Sequence, residues 1–146
     1  MEHRRLLIIP CSRTKAITPG LLPAWERYQG RVYRLLKELA SQQQFPNSID
    51  IVIISGKYGF LRPFDLVELY DQPMTAELAS KHCREVQERL SAMCDSNRYW
   101  DCFVLLEPEY LAVLGDLHIP NVHIERKIDQ SSLERLKQWI MREGRQ

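Results

Sequence analysis

The sequence predicts a three-layer α/β sandwich on a small, mainly parallel sheet of about four strands, Rossmann-like in outline but without a dinucleotide-binding glycine fingerprint. Two observations carry this. Short apolar runs at 6–10, 49–54, 99–106 and 122–124 alternate with longer segments whose apolar residues recur at steps of three and four. The third run is almost continuously apolar, as suits a strand covered on both faces. Strands separated by helices pair in parallel through right-handed crossovers.

Each element has its own signal. Leu6 to Pro10 is the first strand. Pro23 opens a helix where its missing N–H costs little, and Trp25, Tyr28, Val32, Leu35, Leu36 and Leu39 give that helix one apolar stripe. Arg27, Arg31, Arg34 and Lys37 fall on its other side and read as a solvated face, or as a surface following a nucleic-acid backbone. Ile49 to Ile54 is the second strand. A helix from about Thr75 to Cys94 carries Leu78, His82, Val86, Leu90 and Met93, with His82 expected as a satisfied core residue. A short helix over Glu107 to Leu114 follows the third strand. Ser131 and Glu134 have capping-box spacing before a last helix bearing Leu133, Leu136 and Ile140.

A chain of 146 residues reads as one domain, 1–146, with enough length for a real core. A net charge of +1 argues against coating duplex DNA by bulk electrostatics but leaves room for a small basic pocket. No apolar run reaches the length of a membrane span, and the charged start with its short apolar run reads as a first strand rather than a signal peptide. A cytoplasmic protein without membrane contact is expected. Cys11, Cys83, Cys94 and Cys102 show no metal-ligand spacing, so reduced thiols and no metal or cofactor are expected.

In a parallel sheet, the loops after the strands gather at one edge, where ligands bind. That edge should hold Cys11 to Lys15, Ser55 to Tyr58, Glu107 to Tyr110 and Glu125 to Lys127. Lys15 and Lys57 facing a common crevice suit a phosphate or a polarised carbonyl, although each also reads as a solvated loop charge. Cys11 is either a small core residue or a nucleophile whose thiolate Arg13 and Lys15 favour. Asp71 and Glu107 are rival carboxylates for general-base work. Asp71 also reads as a helix cap or surface charge. Tyr58 and Tyr110 either stack on a base or pack with a wet hydroxyl. Ser55 either binds ligand or ends its strand by bonding the backbone. Gly56 and Gly59 read as turn glycines.

The stretch 55–74, SGKYGFLRPFDLVELYDQPM, is too specific for a filler loop. Its Ser55-Gly56, Tyr58-Gly59, Leu61-Arg62-Pro63, Asp65-Leu66, Tyr70 and Met74 resemble the YaaA family of peroxide-stress proteins. Leu6 to Lys15, LLIIPCSRTK, resembles the first strand and loop of the same family. It is also similar to the Pro-Cys-x-x-x-Lys signature of the archaeosine synthase core domain, here Pro10, Cys11 and Lys15, although Ala16 and Ile17 stand where a tyrosine-bearing continuation is expected. The resemblance implies a short YaaA-like α/β domain without room for the DNA-binding insertion of the long proteins. It further implies a nucleotide or nucleobase-like small molecule, or a nucleic-acid-derived substrate, as partner. The chemistry it suggests is glycosidic cleavage or base modification, with Lys15, Lys57, Asp71, Glu107 and Cys11 as catalytic candidates. Ser12, Ser55, Gly56, Tyr58, Arg62, Tyr70 and Tyr110 complete the binding set. Two alternatives remain: a non-catalytic nucleic-acid binder of the oxidative-stress response, and an interaction module of a defence or modification system.

Overall fold

The computed structural model describes residues 4–142. The expected strands appear as β1 (Arg5–Pro10), β3 (Ile49–Ser55), β6 (Asp101–Leu105) and β7 (Asn121–Glu125). They pair in parallel, β3-β1-β6-β7, with Pro10 opposite Ile54 and Leu105 opposite Glu125. A fifth strand, β4 (Gly59–Leu61), folds back antiparallel on β3 and completes the order β4-β3-β1-β6-β7. Gly59 makes this hairpin possible. Its φ is +77°, and a Cβ there would stand 2.9 Å from His82 Nδ1. Two residues each of β2 (Leu22–Pro23) and β5 (Leu66–Val67) form a separate antiparallel ribbon.

Alternate residues of the central strands feed two cores, so the sandwich has three layers. Leu7, Ile9, Ile51, Ile53, Phe103 and Leu105 pack with α2 (Arg31–Ser41) and α5 (Gln130–Met141) through Leu36, Leu39, Leu136 and Ile140. Leu6, Ile8, Val52, Ile54 and Val104 pack with α3 (Ala76–Asn97) through Val86 and Leu90, and with Val113 and Leu114 beyond α4 (Pro108–Leu111).

The helix expected to run on from Pro23 is instead two. It stops after α1 (Ala24–Arg27), turns extended at Tyr28, and restarts at α2 with Gly30 as N-cap. The break is held by the loop after β1: Ala16 N–H donates to Arg27 O (2.8 Å) and Gln29 N–H to Thr14 O (2.9 Å). Placing Arg27 on a solvated face also fails. Arg27 is fully buried, and its guanidinium donates to the carbonyls of Ala16, Thr18, Gly20 and Val67, tying the 16–20 loop to β5. The last helix starts at Asp129, not Ser131. Ser132 N–H donates to Asp129 Oδ1 (2.9 Å) and Asp129 N–H to Ser132 Oγ (3.0 Å), so the capping box uses this pair rather than Ser131 and Glu134. α3 is capped by Thr75, whose Oγ1 accepts from Leu78 N–H (3.2 Å). His82 is buried, its Nε2 2.9 Å from Gly56 O, as expected of a satisfied core histidine. Among the described residues no helix is long and apolar enough to cross a membrane.

Candidate functional site

Parallel pairing of β1 with β3 puts the loops after both strands at one sheet edge, and Cys11 N–H donates to Ile54 O (2.9 Å) at the junction. A crevice of about 450 Å³ opens beside it. Its walls are the β1 loop (Cys11 to Lys15), the start of α2 (Gly30 to Tyr33), the segment Asp71 to Met74, and Glu107, Glu109 and Tyr110 around α4, with Ile128 also in the lining. This volume lies in the range of small-ligand sites, roughly 300–1,000 Å³.

Of the residues expected at the site, Cys11, Ser12, Lys15, Asp71, Glu107 and Tyr110 line the crevice. Cys11 Sγ is 3.7 Å from the Tyr110 hydroxyl, which also accepts from Met74 N–H (3.2 Å). Burial raises the Tyr110 pKa, and the neighbouring Cys11 adds to the shift. The Ser12 hydroxyl, nearly buried, donates to Thr14 O (2.8 Å) and holds the β1 loop in a turn. Tyr33, fully buried, donates to Pro10 O (2.7 Å) and fixes α2 against the end of β1.

Lys15 lies over the Tyr70 ring, its Nζ 4.6 Å from the centroid. Burial lowers its pKa. The charges of Cys11 and Asp71 oppose that shift, and Arg13 adds to it. Tyr70 itself is braced from below, its hydroxyl bonded to those of Ser55 (2.9 Å) and Tyr28 (2.5 Å). It supports Lys15 rather than lining the crevice.

The remaining expectations are displaced, and the β3–β4 hairpin is the reason. Lys57 sits at the exposed tip of the hairpin and pairs with Glu68. It reaches the Tyr70 ring at 5.7 Å, so it shares a neighbour with Lys15 but not the crevice. Ser55 is buried, and its Oγ accepts from the N–H groups of Lys57 (3.2 Å) and Tyr58 (3.0 Å). Gly56 lies against the backbone of Gln72 and Pro73, which leaves no room for a Cβ. The Tyr58 hydroxyl accepts from Glu68 N–H (3.1 Å) and its ring packs edge-on against Tyr70, outside the crevice lining. Arg62 is at the far end of β3, where Nε donates to Ile51 O (2.8 Å) and the guanidinium lies 4.0 Å from Asp50.

Three further charges border the crevice. Arg13 stood in the sequence only as a charge near Cys11, and Arg31 only as part of an outward helix face. Glu109 fell within the right loop but had no role. The signal for Arg31 was Gly30: a glycine inside an apolar helical stripe marks a new start, which turns the next residue toward the sheet edge.

No curated protein matches the chain. The family model described as peroxide stress protein YaaA matches residues 6–96. That span runs from β1 to near the end of α3, so it includes the β1 loop, the start of α2 and the Asp71 segment, while Glu107, Glu109 and Tyr110 lie beyond it. With well over half its length in that match, and with both quoted loops inside it, the chain belongs to the YaaA family of peroxide stress proteins.

Proposed function

We propose that this YaaA-family protein binds a nucleotide- or nucleobase-like small molecule in the crevice and acts on it. The carrying observation is that six of the candidate residues, contributed by three separate chain segments, converge on one 450 Å³ cavity at the carboxyl edge of the sheet. In this reading Lys15 supplies positive charge from a half-buried position, and Tyr70 positions it. Asp71 or Glu107 takes a proton from water, whose oxygen then adds to the sugar carbon as the glycosidic bond breaks and the base leaves with a proton. Cys11 beside Tyr110 offers a nucleophile for base modification instead. Holding the reacting groups in place supplies much of the rate in either case.

The test is calorimetric titration with nucleoside monophosphates, together with chromatography for released base. Lys15→Ala should weaken binding about tenfold, the usual cost of one hydrogen bond to a charged group. Lys57→Ala should leave binding unchanged, because its ammonium is committed to Glu68 outside the crevice. Equal effects of the two substitutions would sink this reading. A second reading, an interaction module, is favoured by exposed Ile17, Leu21, Phe64, Leu66 and Leu69 on the loops that the β2–β5 ribbon joins. It requires that substituting Phe64 and Leu66 by serine abolish an association in which the crevice residues play no part.

A further inference from the structure

Resting on the reading of the crevice as a small-molecule site, we infer that its ligand is dipolar: a phosphate group on the wall made by the β1 loop and α2, and a hydrogen-bond-donating or cationic head on the wall made by α4 and the segment before α3.

The charges lining the crevice are sorted by sign. Arg13, Lys15 and Arg31 come from the β1 loop and the first residue of α2. Glu107 and Glu109 flank Pro108 at the start of α4, and Asp71 lies on the segment leading to α3. α2 packs on one face of the sheet, and α3 with the residues after α4 on the other. The three cations and the two α4 glutamates therefore come from opposite faces of the sheet, while Asp71, next to Tyr70 of the α2-side core, acts on Lys15 without forming an ion pair. Among the described residues, none of the six makes an ion pair, although the chain pairs cations and carboxylates elsewhere, as in Lys57–Glu68 and Arg135–Glu125.

An unpaired, half-buried cation beside a second cation is costly unless an anion completes it. Lys15 is in that position. Among the described residues its ammonium makes one hydrogen bond, a long one to Arg13 O (3.5 Å), and no ion pair; burial lowers its pKa, Cys11 and Asp71 oppose that only in part, and Arg13 adds to it. The start of α2 adds to this wall, since Gly30 caps the helix without a side-chain hydrogen bond and Gly30 to Tyr33 border the cavity. A phosphate monoester supplies the missing charge with several acceptor oxygens. Carboxylates can only accept hydrogen bonds when ionised, so the opposite wall selects a ligand end rich in donors. An amino-bearing nucleobase is such an end, and a mononucleotide spans a cavity of this size.

The test uses the full chain and two ligand pairs in which one member lacks only the amino group: AMP against purine riboside monophosphate, and CMP against its 4-deamino analogue. Calorimetry should show the amino member of each pair binding about tenfold more tightly. Glu107→Gln, or Glu109→Gln as a second variant, should erase that preference while leaving the affinity for the deamino member. Arg31→Ala should weaken all four ligands about tenfold and keep the preference. Inorganic phosphate should compete with all four. If nucleotides bind without an amino preference, or if the preference survives both glutamine variants, the dipolar inference falls while the small-molecule reading stands. If neither nucleotide nor phosphate binds the wild-type chain, both fall.

Discussion

Ser12 and Gly30 touch so closely that residue 30 has no room for a side chain. A Cβ there would overlap Ser12 Oγ and stand 3.3 Å from Ser12 Cβ. This contact joins the turn after β1 to the start of α2, and so sets where Arg31 and Lys15 stand relative to each other.

Gly30→Ala should therefore destabilise the fold by about 1–3 kcal/mol, the usual cost of overpacking. The hydroxyl is the nearest obstacle, so Ser12→Ala should recover much of the loss although by itself it sacrifices the bond to Thr14 O. Urea denaturation of the two single variants and the double variant gives the coupling. Additive effects would mean that the two residues do not press on each other.

Arg27 has a comparable role one turn earlier in the chain. Its four carbonyl partners lose their donor together in Arg27→Met, and a buried acceptor left unpaired costs about 1–3 kcal/mol. The expected outcome is a loss of at least about 2 kcal/mol in urea denaturation, with faster proteolytic cleavage within residues 14–22. An unchanged midpoint would show that water replaces the guanidinium at no cost. Any fall in nucleic-acid affinity in an Arg27 variant must be read against this instability. Arg34, exposed on α2 and outside the crevice, is the proper probe of the helix surface, since Arg31 lines the crevice.

The four parallel strands were legible because strands covered on both faces show as apolar runs, and parallel order follows from the helices between them. β4 and the β2–β5 ribbon were not, since strands of two or three residues have no periodicity to read. The break at Tyr28 was hidden because Trp25, Tyr28 and Val32 keep helical spacing while the backbone leaves the helix. Burial of Arg27 left no trace, because its partners are backbone carbonyls, which are independent of residue type. Within the site, Cys11, Lys15 and Glu107 were legible because they directly follow parallel strands. Lys57 and Tyr58 also follow one, but the chain reverses there into the β3–β4 hairpin and carries them away from the crevice.

Glu125 gives a pH dependence with a definite sign. Hydrogen bonds from Arg135 (2.6 and 2.9 Å) push its carboxyl from an ordinary 4.5 down to about 2; partial burial opposes this and His123 assists. Because the folded pKa is depressed, this contribution to stability is present above about pH 4.5 and is lost as pH falls toward 2. It should be small, since Arg135 and His123 stand half in water. Glu125→Gln should lower the thermal midpoint slightly at pH 7 and flatten the acid limb between pH 4.5 and 2. The same acid limb in variant and wild type would assign acid sensitivity to other carboxylates. Asp50 is one candidate: burial pushes its pKa up, but hydrogen bonds from Arg4 and Tyr99 more than offset this and leave it lowered.

The thiols report on the crevice directly. Cys11, Cys83, Cys94 and Cys102 are all free, but their surroundings differ. Cys102 is fully buried in β6, and burial raises its thiol pKa strongly; Cys94 is raised for the same reason. The thiolate is the reactive form, so both should label slowly at pH 8. Cys11 is partly exposed in the crevice, so a reagent can reach its sulfur. Maleimide labelling followed by mass spectrometry should modify Cys11 at least about tenfold faster than Cys102. Cys83, partly exposed on α3 away from the crevice, serves as an internal control. Saturating AMP should slow labelling of Cys11 and leave Cys83 unchanged, because Cys11, Lys15 and Glu107 line the same cavity and Cys83 does not. Protection of both thiols alike would mean that AMP acts through overall stability. If AMP binds without protecting Cys11, the bound nucleotide lies outside the crevice.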